Sequence, residues 1–183
     1  MNIKQNDRLF FTIFPTRWGL FGLAGSQSAI FKTILPLPSK KTVKKLIALG
    51  LKNPKFHKNF EKDLQHKIQS FFEGRFVDFS NVPVYIDYFS QFTRMVLNEC
   101  RNLSLAEITT YNQLAENIGC PGAARAVGTA LAKNPLPLII PCHRIIRSDG
   151  SLGGFTARGG TKLKSKLIQH ELAISSKTII QYA

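Results

Sequence analysis

The 183-residue chain is poor in cysteine, poor in acid, and has no long apolar run. Its three cysteines, Cys100, Cys120 and Cys142, cannot all pair, which argues against a disulfide framework and for a reducing compartment. The expected location is cytoplasmic, or nuclear if the source is eukaryotic. No Cys-x-x-Cys or His-x-x-x-His occurs, and residues 1–99 hold no cysteine and only His57 and His66. No metal and no other cofactor is therefore expected. No stretch approaches the ~20 apolar residues that span a bilayer. Residues 1–8 are polar and lack the apolar core of a signal peptide. Repeats and low-complexity segments are absent as well.

The shortage of acid is the more telling. Lysine and arginine number 25 against 11 aspartates and glutamates, a net charge of +14. Residues 1–87 carry 14 basic and 6 acidic side chains and residues 88–183 carry 11 and 5, so the excess is no tail. Such a balance points to a polyanionic partner, nucleic acid first. An acidic membrane surface is disfavoured, because no expected helix joins a clustered basic face to exposed Trp or Phe.

The first half reads as strands and then helices. Residues 9–14 and 20–24 form an expected hairpin, and residues 29–35 a third strand closed by Pro36 and Pro38. Residues 39–53 read as a basic helix capped by Ser39 and ending near Pro54. Residues 57–72 place Phe60, Leu64, Ile68, Phe71 and Phe72 at helical spacing, an aromatic stripe best read as core, with Gly74 as the stop. Residues 76–88 are extended, and the domain boundary is set there: 1–87 and 88–183.

The second half is mainly helical. Residues 91–100 present Phe92, Met95, Val96 and Leu97 on one side. Residues 110–118, capped by Thr110, and 123–133 flank Gly119-Cys120-Pro121-Gly122 and read as a helix-turn-helix. At about 100° per residue, Ala123, Val127, Ala130 and Leu131 of the third helix face inward. Arg125, Gly128, Thr129 and Ala132 face outward. A bare face carrying one long cation suits close approach to a DNA groove; an ordinary exposed arginine is the plainer alternative.

The densest chemistry is in Pro141-Cys142-His143-Arg144-Ile145-Ile146. The apolar run 138–140 predicts a buried strand that Pro141 ends, presenting Cys142 beside an imidazole. A thiol becomes a strong nucleophile when a neighbour helps remove its proton; a small buried hydrophobe is the plainer reading. An Asp149-Gly150 turn follows, then the glycine-rich run Leu152-Gly153-Gly154-Phe155-Thr156. Residues 161–172 read as a helix capped by Thr161, with Glu171 on the apolar face of Leu167 and Ile168. A buried carboxylate needs a partner: a lysine or arginine, or His143, which would complete a Cys-His-Glu relay.

These residues, in this order, resemble the O6-alkylguanine-DNA alkyltransferases. The similarity runs from about Phe92 to Leu172. It includes Thr110-Tyr111-Asn112-Gln113-Leu114-Ala115, Pro121-Gly122-Ala123-Ala124-Arg125-Ala126-Val127-Gly128, Asn134-Pro135-Leu136-Pro137, the Cys142 motif, Ser148-Asp149-Gly150 and His170-Glu171. The resemblance implies an α/β chain: a small ribonuclease-H-like domain, then a mainly helical, winged-helix-like domain with the helix-turn-helix. It implies single-turnover transfer of an alkyl group from O6 of guanine in duplex DNA to Cys142. The base is flipped out from the minor-groove side and Arg125 fills its place. His143 would act as base through a water, oriented by Glu171. Tyr111 would donate a proton to the base, and Asn134 would set the turn carrying Cys142. Thr110, Ala126, Gly128, Thr129 and Ala132 would meet DNA, and Gly153, Phe155 and Thr156 the base. The implied partner is double-stranded DNA bearing O6-alkylguanine, with O4-alkylthymine left open, and the implied state is a monomer.

Three departures accompany the resemblance. Phe155 stands where the family has tyrosine, Ala157-Arg158 lengthen the following loop by about two residues, and residues 103–107 replace Ile-Pro-x-Gly-Glu. No phosphotriester-repair domain is expected.

Overall fold

In the computed structural model, residues 8–181 are described, with side chains through residue 177; all but the last of the eight polar residues at the start lie outside them. The chain divides into two compact units, Met1–Tyr88 and Phe89–Ala183.

The first unit is built on a four-stranded sheet of order β3-β2-β1-β4. Strands β1 (Phe10–Thr16), β2 (Gly19–Gly25) and β3 (Ile30–Leu37) are antiparallel, and the two-residue β4 (Lys55–Phe56) runs parallel to β1. With its two helices this sheet makes the small α/β domain expected of the first half. Pro36 does not close β3. The strand continues to Leu37 through a register shift against β2, and a proline is tolerated at such a bulge.

Each face of the sheet carries a helix. Strand alternation sends Phe11 and Ala24 to one side, where they pack with Ile47 of α1 (Lys40–Ala48). Gly22 is bare for the same reason: a Cβ there would lie 2.8 Å from Cγ1 of Val43. Phe14 and Phe21 point the other way and stack toward Phe72 of α2 (Lys62–Phe72). The aromatic stripe of α2 is core, with Leu64, Ile68, Phe71 and Phe72 buried.

Both helices are shorter than expected. Ser39 caps α1 by accepting from Thr42 N–H, but α1 stops at Ala48, before Gly50 at φ +81°, and the chain then enters β4. Residues 57–61 form turns, and Glu61 precedes α2 in the left-handed region at φ +53°.

In the second unit α3 (Gln91–Asn102), α4 (Tyr111–Asn117) and α5 (Ala124–Leu131) pack on one another. Thr110 caps α4 by accepting from Gln113 N–H at 3.1 Å. Gly119 and Gly122, both at positive φ, turn the chain from α4 to α5. On α3, Val96 and Leu97 are buried with Thr93 and Cys100, whereas Met95 is exposed and does not share their face. Val127, Ala130 and Leu131 of α5 are buried as expected, but Ala123 precedes the helix and is only half-buried.

The apolar run 138–140 is not a strand. Leu138 adopts φ +83°, Ile140 N–H donates to the Leu136 carbonyl, and the run forms a buried turn. Pro141 leads into a single 3-10 turn, Cys142–Arg144, and then β6 (Ile145–Ile146), which pairs in parallel with β5 (Thr109–Thr110). Helix α6 (Gly160–Gln181) begins one residue before the expected cap Thr161 and runs well past residue 172. Among the described residues no helix is long and apolar enough to cross a membrane.

Candidate active site

One side chain organises the turn that carries Cys142. The Asn134 amide accepts from Leu136 N–H at 2.9 Å, and its Nδ2 donates to the Ile140 carbonyl at 2.8 Å and to Cys142 Sγ at 3.2 Å. It thereby closes the 134–142 loop and touches the thiol. The 3-10 turn then sends His143 and Arg144 into the core and leaves Cys142 partly open.

Helix α6 meets this turn with a polar face inside the protein. Lys164, Leu167, Glu171 and Ile174, spaced by three and four, are all buried. Glu171 is wholly buried and accepts from four donors. His143 Nε2 and Arg144 Nη2 reach Oε1 at 2.8 Å each, Arg144 Nε reaches Oε2 at 2.8 Å, and Ala106 N–H reaches Oε2 at 3.2 Å. Of the two partners considered for Glu171, an imidazole and a cation, both are present. Burial by itself would raise its pKa, but the hydrogen bonds from His143 and Arg144 and the charge of Arg144 win and hold it at about 2.

The ionised carboxylate can only accept, so His143 Nε2 carries the hydrogen. Nδ1 is left with its lone pair, buried and without a protein partner. Burial holds the imidazole pKa below its ordinary value against the opposing pull of Glu171. The ring is therefore neutral at physiological pH, with a basic nitrogen to spare.

The altered segment 103–107 completes this cluster. The Leu103 carbonyl accepts from Arg144 Nη1 at 2.6 Å. Ala106 adopts φ +62°, the left-handed conformation that a glycine takes without strain, and this aims its N–H at Glu171. The lengthened loop is also absorbed: Gly160 N–H donates to the Ala157 carbonyl, the turn feeds α6, and Glu171 still meets His143.

Sequence reasoning missed two members, Arg144 and Lys164. Lys164 is wholly buried, donates to the Ile145 and Leu152 carbonyls at 2.5 Å each, and lies 3.5 Å from the Tyr111 hydroxyl. Burial lowers its pKa to about 8, with Cys142 pulling the other way. Burial raises the Cys142 thiol above its ordinary value, while the Asn134 hydrogen bond and the Lys164 charge oppose it. The signal for Lys164 was present: it lies three residues before Leu167 and seven before Glu171, on the same helix face.

The thiol opens into a cleft of about 880 Å³. Helix α5 lines it with Arg125, Gly128, Thr129 and Ala132, the loop with Gly153, Phe155 and Thr156, and Tyr111 and Cys142 lie in its wall. Arg147, Ser148 and Asn112 also line it, and Asn112 donates to the Ser148 hydroxyl at 3.0 Å. Gly153, at φ +66°, accommodates Tyr111, since a Cβ would lie 2.8 Å from the phenol oxygen. Two expected residues are not brought into the lining: Thr110 serves as the α4 cap, and Ala126 is exposed on α5. Cys100 is fully buried on α3. Among the described residues no three His, Cys, Asp or Glu side chains converge as a metal site.

Residues 91–173 match the family model for the DNA-binding domain of 6-O-methylguanine DNA methyltransferase. The Haemophilus influenzae methylated-DNA–protein-cysteine methyltransferase is 38% identical over 123 residues, 65% of this chain and 67% of that protein. The chain belongs to this family. The protein of the same name from Sulfolobus acidocaldarius is 44% identical over 110 residues, 60% of this chain and 66% of its own length, just under two thirds. Among solved structures, Mycobacterium tuberculosis OGT in complex with DNA superposes with a TM-score of 0.74 at 25% identity, covering 90% of this chain and 94% of that one. The family match and the buried His143–Glu171–Arg144 cluster lie in the same stretch of chain.

Proposed function

We propose that the protein repairs DNA by direct reversal, taking an alkyl group from O6 of guanine onto Cys142 once per molecule. The observation that carries this reading is the pairing of an accessible Cys142 with a buried His143 whose Nε2 is committed to Glu171 and whose Nδ1 is free to take a proton.

The step balances as a displacement. Cys142 Sγ bonds to the alkyl carbon as the C–O6 bond breaks. The thiol proton passes to His143 Nδ1 through one bridging water, and Glu171 stabilises the imidazolium. Arg144 stays outside the reaction and keeps Glu171 ionised and fixed. The bond electrons leave with O6, and the guanine takes a proton from Tyr111. Burial raises the Tyr111 pKa above its ordinary value, so the hydroxyl keeps its proton until the base develops charge. Lys164, donating to the phenol oxygen, leaves that proton free to point into the cleft. Its charge also favours the thiolate.

Duplex DNA bearing O6-alkylguanine is the partner. The alkylated oxygen cannot be reached inside the stack, so the base must be extruded into the cleft. Exposed Arg125, on the small-residue face of α5, suits the gap left behind, and Phe155 offers a ring to the flipped base. All the reacting groups come from one chain, so a monomer suffices.

The test is peptide mass after mixing with duplex DNA containing O6-methylguanine. One methyl on the Cys142 peptide, saturating at one per protein and lost in Cys142→Ala, is expected. Tight lesion binding without a methyl would replace repair by damage sensing.

A further inference from the structure

Charge in the first unit is segregated along the chain and in space. From residue 8 to residue 60 there are ten lysines and arginines and no aspartate or glutamate. The helix α1 carries four of them, Lys40, Lys41, Lys44 and Lys45, all exposed. Its other side, Val43 and Ile47, is buried on the sheet. Among the described residues these four lysines make no ion pair.

Neighbouring groups extend the same face. Lys32 donates to the Leu49 carbonyl at the end of α1. Phe56 packs edge-on against Phe11, whose side chain points to α1, and is itself 53% exposed. Exposed Lys52 and Lys55 lie between α1 and Phe56 in sequence. The carboxylates Glu61, Asp63 and Glu73 are instead at or next to the ends of α2, the helix on the opposite face.

We infer that the α1 face of the first unit is a second DNA-contacting surface, binding the phosphodiester backbone without regard to sequence or lesion. It is separate from the cleft of the second unit, and it rests on the repair reading only in taking DNA as the polyanion. Two lysine rows, each advancing about 6 Å per four residues, offer ammonium groups to successive phosphates. A helix that enters a membrane keeps an apolar face free; that of α1 is already used by the sheet.

The experiment is the salt dependence of binding of the 183-residue protein to unmodified duplex DNA. Lys40→Gln/Lys44→Gln is compared with Lys62→Gln/Lys67→Gln, an equal charge loss on α2. The α1 pair should lower the slope of log K against log salt by about 2, and the α2 pair by about zero. Equal effects of the two pairs would reduce the surface to bulk charge and overturn the proposal. An unchanged DNA slope would also overturn it, and loss of sedimentation with phosphatidylserine vesicles would then assign the face to membranes. Methyl transfer to Cys142 is read separately by mass, so a slope change without methyl gain would sink the repair reading and leave this surface standing.

Discussion

Replacing Glu171 by glutamine tests the buried cluster through its pH dependence. A carboxyl held at about 2 in the fold, against an ordinary 4.5, contributes about 3 kcal/mol of stability at neutral pH. The folded value lies below the unfolded one, so the contribution is whole above pH 4.5 and is lost as pH falls toward 2. At pH 3 about 1 kcal/mol remains. Glutamine cannot ionise, so the wild-type advantage over Glu171→Gln should shrink by about 2 kcal/mol between pH 7 and pH 3. Every other carboxylate titrates in both proteins and cancels. The lost charge also leaves Arg144 buried beside a neutral partner, which adds a pH-independent cost. Urea unfolding of the two proteins at both pH values measures the difference. An advantage that does not change with pH would refute the depressed carboxyl, and with it the account of how His143 is oriented and made basic.

Other predictions follow from the same geometry. Asn134→Ala removes three hydrogen bonds and should cost about 2–3 kcal/mol by urea unfolding. It should also slow iodoacetamide modification of Cys142, because the thiolate loses a donor; an unchanged alkylation rate would count against that contact. Gly153→Ala forces Tyr111 aside, so single-turnover transfer should fall at least about tenfold while binding to unmodified DNA holds. Equal transfer rates would remove Tyr111 from the step. Burial keeps the His143 pKa below 6.5, so the transfer rate should fall on the acid side only below pH 6.5. It should decline again as Lys164 loses its charge above about pH 8. A half-maximal point above pH 7 on the acid limb would contradict the buried, neutral imidazole.

By itself, the sequence determined which residues are candidates for chemistry and roughly which elements hold them. Cys142 beside His143, Glu171 on an apolar helix face, Arg125 on a small-residue face and the aromatic stripe of α2 are all readable from local spacing. Helix periodicity and residue type are local properties, and a reader of one chain can see them. What tertiary structure decided is where locality ends. The run 138–140 has the composition of a strand, but Asn134 and the left-handed Leu138 fold it into a buried turn. Residues 49–53 and 57–61 read as helix, but Gly50 and the pairing of residues 55–56 with β1 leave them as loop and turn. Arg144 and Lys164 look like surface cations by type, and only the packing of α6 against the 3-10 turn buries them beside Glu171, Tyr111 and the thiol. Burial is a property of the whole fold, and it moves His143, Lys164, Tyr111 and the Cys142 thiol away from their ordinary pKa values. The ionic state of the relay therefore belongs to the tertiary structure.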